Sequence, residues 1–295
     1  MNFNAIDVQP IDAAWLQQKK ISLDVLRLDK IHEVVSGNKW FKLKYYLQQA
    51  KAFNKTTMAT FGGVWSNHII ATAYAARETG LKSVGIIRGE KPAILSETLQ
   101  LALNNGMDLR YVARQQYRHK ETLIEAFTNE DWFWINEGGY GALGAKGSAD
   151  MLTITDTSHY THIIAAVGTG TMLAGLILAA TKSQHIIGIS SMKGNTALEE
   201  QVRKLLPAGN QTDFTIFHDY HFGGYGKHPH QLINFINDAY NQYQLPLDIV
   251  YTGKTFFALR DLTEKTFFKP ASKILMIHSG GMQGNKSLPP QVLAF

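Results

Sequence analysis

Short apolar runs alternate with amphipathic or small-residue segments along most of this chain, and this alternation limits the fold more than any other feature. The runs predicted as strands are 21–28, 58–61, 84–87, 109–112, 132–135, 162–167, 186–189, 214–217 and 274–277. Predicted helices between them include 39–53, with Asn38 as its N-cap, and 94–105. Strands of this length separated by helices are typical of parallel α/β units.

The alternation forms two series, which are interrupted near the glycine-rich stretch 138–147. The 295 residues fit two modest domains, so we predict an α/β fold of two lobes with a cleft between them. Paired glycines occur at the predicted element junctions, at 62–63, 138–139, 168/170, 223–224 and 280–281. Each pair alone is explained by a tight turn. Together they indicate a ligand crevice, because ligands of α/β sheets bind outside the carboxyl ends of strands.

The segment Gly168-Thr169-Gly170-Thr171 lies between a predicted strand and a predicted helix. Backbone N–H groups, two hydroxyls and a helix N-terminus in that arrangement favour a phosphate. The lysine and spacing of a Walker A loop are missing, and so are the third glycine and the acidic residue of a dinucleotide fingerprint. The segment therefore predicts a site for a single phosphate monoester.

Two further helix starts carry reactive side chains. Ser66-Asn67-His68 follows a glycine pair, and it predicts either a routine N-cap or an anion pocket with a hydroxyl placed for proton handling. Lys39 is either a solvated lysine or an amine whose pKa is lowered by its unfavourable place at a helix N-terminus. A lowered amine pKa is what a Schiff-base lysine needs, although Lys42 and Lys44 remain rivals on this reasoning.

Composition excludes several classes of protein. With no cysteine, the chain has no disulfide, thiolate zinc site or cysteine nucleophile. The net charge of +5 is scattered along the chain, which argues against a nucleic-acid-binding protein. No apolar run approaches the length of a membrane span and no secretory signal precedes the first strand, so we expect a cytoplasmic protein without membrane partners. No metal is expected, since the histidines form no metal-binding motif.

Five motifs in one order resemble the 1-aminocyclopropane-1-carboxylate deaminase/D-cysteine desulfhydrase family. They are Ser36-Gly37-Asn38-Lys39, Phe61-Gly62-Gly63-Val64-Trp65-Ser66-Asn67-His68, Val167-Gly168-Thr169-Gly170-Thr171, Tyr251-Thr252-Gly253-Lys254 and His278-Ser279-Gly280-Gly281. The resemblance implies a pyridoxal 5'-phosphate enzyme of the tryptophan-synthase-β fold (fold type II), with two open parallel-sheet domains and the cofactor between them. It implies a large domain of residues 1–47 and 149–295, a small domain of residues 48–148, and a homodimer.

The same resemblance implies roles for individual residues. Lys39 carries the cofactor covalently, Asn67 contacts the cofactor ring, and Gly168, Thr169, Gly170 and Thr171 hold its phosphate. Ser66 is an acid/base or nucleophilic group, and either Ser66 or Lys39 removes the α-proton. Tyr225 and Tyr251 face the substrate. Trp65, Ser66, Asn67 and His68 form the substrate-binding segment, and Trp65 replaces the glutamine of many deaminases.

Thr252 stands where the deaminases carry an acidic residue, and Ser279 stands where threonine is common. Either hydroxyl, Thr252 or Ser279, is predicted to meet the pyridine nitrogen. A carboxylate there strengthens the electron sink, and opening a cyclopropane ring demands more of that sink than expelling a thiolate. We therefore expect D-cysteine desulfhydrase-like β-elimination to pyruvate, ammonia and sulfide. The alternatives are 1-aminocyclopropane-1-carboxylate deamination to 2-oxobutyrate and ammonia, a D-serine dehydratase or racemase activity, and a non-catalytic binder.

Overall fold

Ten strands and ten α-helices build the chain, in a computed structural model that describes residues 1–127, 129–210 and 212–295. The strands are β1 Val8–Pro10, β2 Ser22–Arg27, β3 Thr57–Gly62, β4 Lys82–Arg88, β5 Met107–Val112, β6 Trp132–Ile135, β7 His162–Val167, β8 His185–Ser190, β9 Phe214–Phe217 and β10 Lys273–His278. The helices are α1 Ala14–Gln17, α2 Asn38–Ala52, α3 Asn67–Glu78, α4 Glu97–Asn104, α5 Lys120–Phe127, α6 Ala142–Ala149, α7 Thr171–Ala179, α8 Leu198–Arg203, α9 His230–Tyr243 and α10 Thr252–Glu264.

The strands form two separate sheets. The larger has the order β1-β2-β10-β7-β8-β9 and is parallel except for the edge strand β1. The smaller has the order β5-β4-β3-β6 and is parallel throughout. The predicted α/β class with two parallel-sheet units is confirmed.

The larger sheet is buried on both faces, as parallel sheets require. Because successive side chains of a strand point to opposite faces, Ile164 of β7 packs in the core with α9 and α10. Its neighbours Ile163 and Ala165 pack in the core on the other side, with α7 and α8. This double burial explains why the strands are continuous apolar runs rather than alternating ones.

Helices α2 and α6 pack against each other, and α6 also packs against α7. The predicted boundaries at 47/48 and 148/149 fall inside α2 and α6. That division into a large and a small domain stays a prediction. Sheet membership agrees with its outline, since the smaller sheet takes its strands from residues 57–135.

Two predicted helix starts shift. Helix α2 begins at Asn38 rather than after it, and Gly37 occupies the cap position with no side-chain cap. Helix α4 begins at Glu97 rather than near Ile94, because the Ser96 hydroxyl accepts a hydrogen bond from Leu99 N and caps the helix there. No helix in the described parts of the chain has both the length and the apolar character to cross a bilayer.

Candidate active site

A cavity lies where the loops after β7 and β10 meet the first turns of α2 and α3. Strands β7 and β10 are neighbours in the larger sheet, so their carboxyl ends open side by side. The lining residues are Asn38, Lys39, Lys42, Asn67, Gly138, Ala166, Val167, Gly168, Thr169, Gly170, Met172, Leu173, Tyr251, Ser279 and Gly280. The structure thus brings together, from distant parts of the chain, most of the predicted cofactor-binding residues.

Lys39 projects from the first turn of α2, which is pressed against the loop after β10. The N–H of Asn38 donates to Ser279 O at 3.0 Å. Gly37, with φ of +69°, allows this approach, because a Cβ there would lie 1.8 Å from the same oxygen. Burial lowers the pKa of Lys39 to about 8, against an opposing effect of the Asp248 carboxylate. Its amine is therefore partly neutral near physiological pH, which a nucleophilic lysine requires.

The two rival lysines take different places. Lys42, one turn along α2, is buried at the cavity wall and its Nζ donates to Gly138 O at 3.3 Å. Burial, then the charge of Lys39, lowers the pKa of Lys42 well below its usual range. Lys44 points away and pairs with Asp150 at 2.6 Å, a hydrogen bond that raises its pKa. Of these three lysines, Lys39 and Lys42 line the cavity as described and Lys44 does not.

The predicted phosphate segment connects β7 to α7. Gly170 has φ of +84° and occupies the N-cap position, so the N–H groups of the first helical turn point outward from Thr171. The hydroxyls of Thr169 and Thr171 lie 3.1 Å apart. Thr169 lines the cavity, whereas Thr171 is fully buried and is not among the described lining residues. The segment therefore offers backbone donors and the Thr169 hydroxyl beside two lysines, a donor set suited to a phosphate group.

Ser66 is the N-cap of α3, and its Oγ accepts a hydrogen bond from Ile69 N at 3.4 Å. The N-cap interpretation of this serine is thus confirmed, and Oγ retains capacity for a further interaction. Asn67 donates from Nδ2 to Gly281 O at 3.0 Å, while no donor in the described structure reaches its buried Oδ1. Trp65 is half-buried in the turn before α3.

The His68 side chain lies behind this segment. Its Nε2 lies 2.8 Å from the Thr60 hydroxyl, which itself donates to Ile135 O at 2.9 Å. The hydroxyl proton is thereby used, so Nε2 carries a proton and donates to the Thr60 oxygen. Burial, followed by the charges of Lys39 and Lys42, lowers the His68 pKa well below its ordinary value. At this position the backbone N–H, rather than the imidazole, is suited to contact a ligand.

Two tyrosines meet on the solvent side of the cavity. Tyr251 lines the cavity and lies against Gly168, where an added Cβ would be 3.4 Å from the Tyr251 ring. Its hydroxyl lies 3.3 Å from that of Tyr225, whose side chain is 54% exposed. Burial raises the pKa of both phenols, so both are protonated donors at neutral pH.

The structure separates the two candidate hydroxyls for the pyridine nitrogen. Ser279 lines the cavity, and its hydroxyl makes no hydrogen bond to another described residue. Thr252 is fully buried and is not among the described lining residues. Its hydroxyl donates to Asp248 Oδ1 at 2.7 Å and accepts from Asp248 N at 2.8 Å. Both roles of the Thr252 hydroxyl are therefore taken.

Sequence reasoning missed Asp248. Its carboxylate caps α10 by accepting from the backbone N–H groups of Val250, Tyr251 and Thr252 at 2.7–2.8 Å. The local signal was the Asp itself, because an Asp side chain before a helix start readily accepts hydrogen bonds from the backbone N–H groups that follow it. The motif His278-Ser279-Gly280-Gly281 is also held in place by its first residue, because the buried His278 Nε2 donates to Pro246 O at 2.6 Å.

The residues present fit pyridoxal phosphate. An aldehyde needs an amine of lowered pKa, which Lys39 supplies. A phosphate needs hydrogen-bond donors, which Gly168, Thr169, Gly170 and the Lys42 amine supply at the cavity wall. Asn67 Oδ1 is a buried acceptor with no donor among the described residues, whereas buried polar atoms in native proteins are normally paired. A bound ligand with a donor group would satisfy it.

Comparison with known proteins agrees with this fit. The model of the pyridoxal-phosphate dependent enzyme family matches residues 20–280, and the chain belongs to that family. It is 29% identical over 282 residues to a putative 1-aminocyclopropane-1-carboxylate deaminase of Thermotoga maritima, covering 88% of each chain. It is 30% identical to a protein of the same description from Pyrococcus abyssi, covering 85% of this chain and 81% of the other.

Among solved structures, a 1-aminocyclopropane-1-carboxylate deaminase homologue superposes with a TM-score of 0.81. It is 26% identical, and the match covers 95% of this chain and 90% of the other. The predicted family, the enzymatic character and the cofactor are confirmed. The predicted lyase or deaminase chemistry is confirmed at the level of this family.

Proposed function

We propose that the enzyme removes ammonia and sulfide from D-cysteine, which with one water yields pyruvate. The observation that carries this proposal is the chemistry of the cavity wall. None of the described lining residues is an aspartate or a glutamate, and Ser279 offers a free hydroxyl there. A neutral hydroxyl leaves the pyridine nitrogen unprotonated, which weakens the electron sink. Expulsion of a thiolate makes the smaller demand on that sink.

Asp248 does not replace the missing carboxylate. Its two oxygens already accept hydrogen bonds from three backbone N–H groups and the Thr252 hydroxyl. A carboxylate held this way caps α10 and is not free to bind a ring nitrogen. We therefore assign the contact with the pyridine nitrogen to Ser279 rather than to Thr252.

The proposed cofactor set is Lys39, Asn67, Ser279 and the segment 168–171, with Lys42 added as a cation for the phosphate. When bound, pyridoxal phosphate supplies a conjugated ring that accepts the electron pair left by the α-proton. Asn67 Nδ2 and Oδ1 orient the ring edge, and the helix start at Thr171 neutralises phosphate charge. Lys42 adds a positive charge at the same wall whenever a phosphate raises its pKa.

The proposed substrate segment is 65–68. Backbone N–H groups at the start of α3 bind the substrate carboxylate, aided by the helix dipole. Lys39 Nζ makes no hydrogen bond to a described residue, so once released it is free to take the α-proton. Ser66 Oγ, held at the helix cap, is the second candidate base. Tyr225 and Tyr251 face the substrate from the solvent side and donate hydrogen bonds that hold it in the cavity.

A second candidate function is 1-aminocyclopropane-1-carboxylate deamination, which the names of the similar proteins favour. D-serine dehydratase and racemase activities are further outcomes of the same chemistry. Location in the cytoplasm and a homodimeric assembly complete the proposal.

The decisive experiment offers D-cysteine and 1-aminocyclopropane-1-carboxylate separately to the cofactor-loaded enzyme and identifies the keto acid. We expect pyruvate and sulfide from D-cysteine and no 2-oxobutyrate. 2-Oxobutyrate as the main product would contradict the proposal and show that a hydroxyl suffices for ring opening. Inversion of an amino acid without keto-acid release would identify a racemase instead.

A further inference from the structure

One face of α10 holds the glycine-rich segment 221–226, here called the Tyr225 loop. Lys254 Nζ donates to His221 O and to Gly224 O, each at 2.9 Å. One turn on, the Phe257 ring packs edge-on against Phe222, with centroids 4.9 Å apart. Tyr251, just before the helix, meets Tyr225. Tyr251, Lys254 and Phe257 are spaced by three residues, so they lie along one stripe of the helix.

The Tyr225 loop combines local hydrogen bonds, from Gly224 N to His221 O at 3.0 Å and from Gly223 N to His221 Nδ1 at 2.9 Å, with an unusual backbone. Phe222, Gly223, Gly224 and Gly226 all have positive φ, with values of 53°, 94°, 134° and 71°. Glycines with such angles have many alternative conformations, so the observed one needs outside support. The carbonyls of His221 and Gly224 accept backbone hydrogen bonds from Gly224 N and Lys227 N, and they also face α10, where the Lys254 amine gives each a further donor.

Lys254 supplies that support at an unusual position for a lysine. It is fully buried, and no carboxylate in the described structure lies within ion-pair distance of it. Burial lowers its pKa to about 8, and the more distant Asp248 charge opposes this. A methionine would fill similar space without the cost of burying an amine. The position therefore requires the N–H donors of the Lys254 amine. Their acceptors among the described residues are the carbonyls of His221 and Gly224.

We propose that Lys254 is a positioning residue, whose hydrogen bonds to the Tyr225 loop set the Tyr225 hydroxyl beside Tyr251 at the entrance of the cavity. Lys254 itself does not line the cavity as described. Its effect passes through the loop to Tyr225, then to Tyr251, which stands over Gly168. The effect on substrate rests on the proposed function, while the anchoring of the loop does not.

The test compares Lys254→Met, Tyr225→Phe and the double variant with the wild type. Hydrogen exchange of peptides spanning 219–228 is followed by mass spectrometry in the cofactor-loaded enzyme. We expect faster exchange in Lys254→Met only for this segment. With whichever of the two substrates is turned over, KM should rise by about tenfold in Lys254→Met at nearly unchanged kcat, the signature of lost substrate binding. In the Tyr225→Phe background, Lys254→Met should add little, since both changes act on one contact.

Lys182→Met, at an exposed position on the connection between α7 and β8, is the matched control and should change neither readout. If Lys254→Met does not fold, Phe257→Leu weakens the neighbouring attachment and should show the same pattern more mildly. The proposal is overturned if hydrogen exchange in 219–228 is the same in Lys254→Met as in the wild type. It is also overturned if the KM increase of the double variant equals the product of the increases in the two single variants. If exchange is faster in Lys254→Met but Tyr225→Phe does not change KM, Lys254 holds the loop in place and Tyr225 has no role in substrate binding.

Discussion

At the scale of single residues, Lys39 and Lys42 show how one helix turn presents two buried amines to the same cavity. Burial lowers the pKa of both, but only Lys39 lacks a hydrogen-bond partner among the described residues. The structure therefore distinguishes an amine with no hydrogen-bond partner among the described residues from one that donates to the Gly138 carbonyl. Sequence alone left them as rivals, because both follow the same predicted helix start.

Lys39→Ala should abolish covalent attachment of the cofactor. Borohydride reduction of the loaded wild type is expected to add pyridoxyl phosphate to the peptide containing Lys39, and turnover of the variant should fall by at least about 10²-fold. Lys42→Ala, the matched control, should keep the adduct but bind cofactor more weakly. An adduct on Lys42 in the wild type would contradict the assignment.

The rate of cofactor attachment should depend on the Lys39 pKa. Because that pKa is about 8, the neutral amine forms as the pH rises through 8, rather than through 10.5. Attachment to cofactor-free enzyme, followed by absorbance, should accelerate between pH 7 and pH 9 and then level off. A rate that continues to climb toward pH 10.5 would show an ordinary, solvated lysine.

Ser66→Ala separates the two roles of Ser66. Loss of the N-cap should cost about 1 kcal/mol of stability. Loss of an acid–base hydroxyl should lower turnover by about 10²-fold with the cofactor adduct unchanged. Ser96→Ala is the matched control, since Ser96 caps α4 in the same way and also donates to Val64 O. It should reproduce the stability loss, measured by denaturant titration, but retain turnover. Wild-type turnover in Ser66→Ala would leave Lys39 as the base.

At the scale of elements, the helix starts and strand ends assemble the site. Helices α2, α3, α7 and α10 begin close to the cavity, and their starts are of two kinds. Ser66 caps α3 and Asp248 caps α10, whereas α2 and α7 begin at glycines with positive φ. The positions of strands and helices were largely predictable from apolar periodicity, since burial imposes it locally. Helix α10 and the Asp248 cap were not predicted. The loop that packs on the helix could not have been, because its contacts with α10 join segments about 30 residues apart in the chain.

Gly37→Ala should disrupt the contact between the α2 start and the loop after β10. An added Cβ would lie 1.8 Å from Ser279 O, and Gly37 also has a positive φ. Gly80→Ala is the control, since Gly80 has φ of +74° but open space around its Cβ position. We expect about 1 kcal/mol of destabilisation for Gly80→Ala and clearly more for Gly37→Ala, which should also lose cofactor affinity. Equal losses in a denaturant titration would show that the close approach is unimportant.

At the scale of the whole molecule, the cavity joins segments that follow strands of both sheets. Asn67 comes after β3 of the smaller sheet, and Gly168 comes after β7 of the larger. Asn67 and Gly281, and likewise Gln283 and Val34, are linked by hydrogen bonds of 3.0 Å. Lys286 and Glu97 form an ion pair beside them. A ligand in the cavity therefore contacts, and stabilises, both units at once.

Cofactor should stabilise the protein as one unit. At a concentration 100 times its Kd, the free energy of unfolding should rise by about 2.7 kcal/mol. Denaturant unfolding, followed by hydrogen exchange in each sheet, should show both sheets gaining protection. Lys39→Ala should gain less, since only the non-covalent contacts remain. Protection confined to the larger sheet would contradict a site shared between the two.

The sequence by itself determined the α/β class and the positions of nine of the ten described strands, and it predicted a phosphate segment and a candidate lysine, because periodicity, glycine turns and helix caps act over a few residues. Only the tertiary structure decided which hydroxyl faces the cavity. Thr252 and Ser279 are equivalent in chemistry, but Asp248 folds back to use both hydrogen-bonding roles of Thr252, while β10 delivers Ser279 to the cavity wall. That choice depends on contacts between segments remote in the chain, where local pattern carries no information.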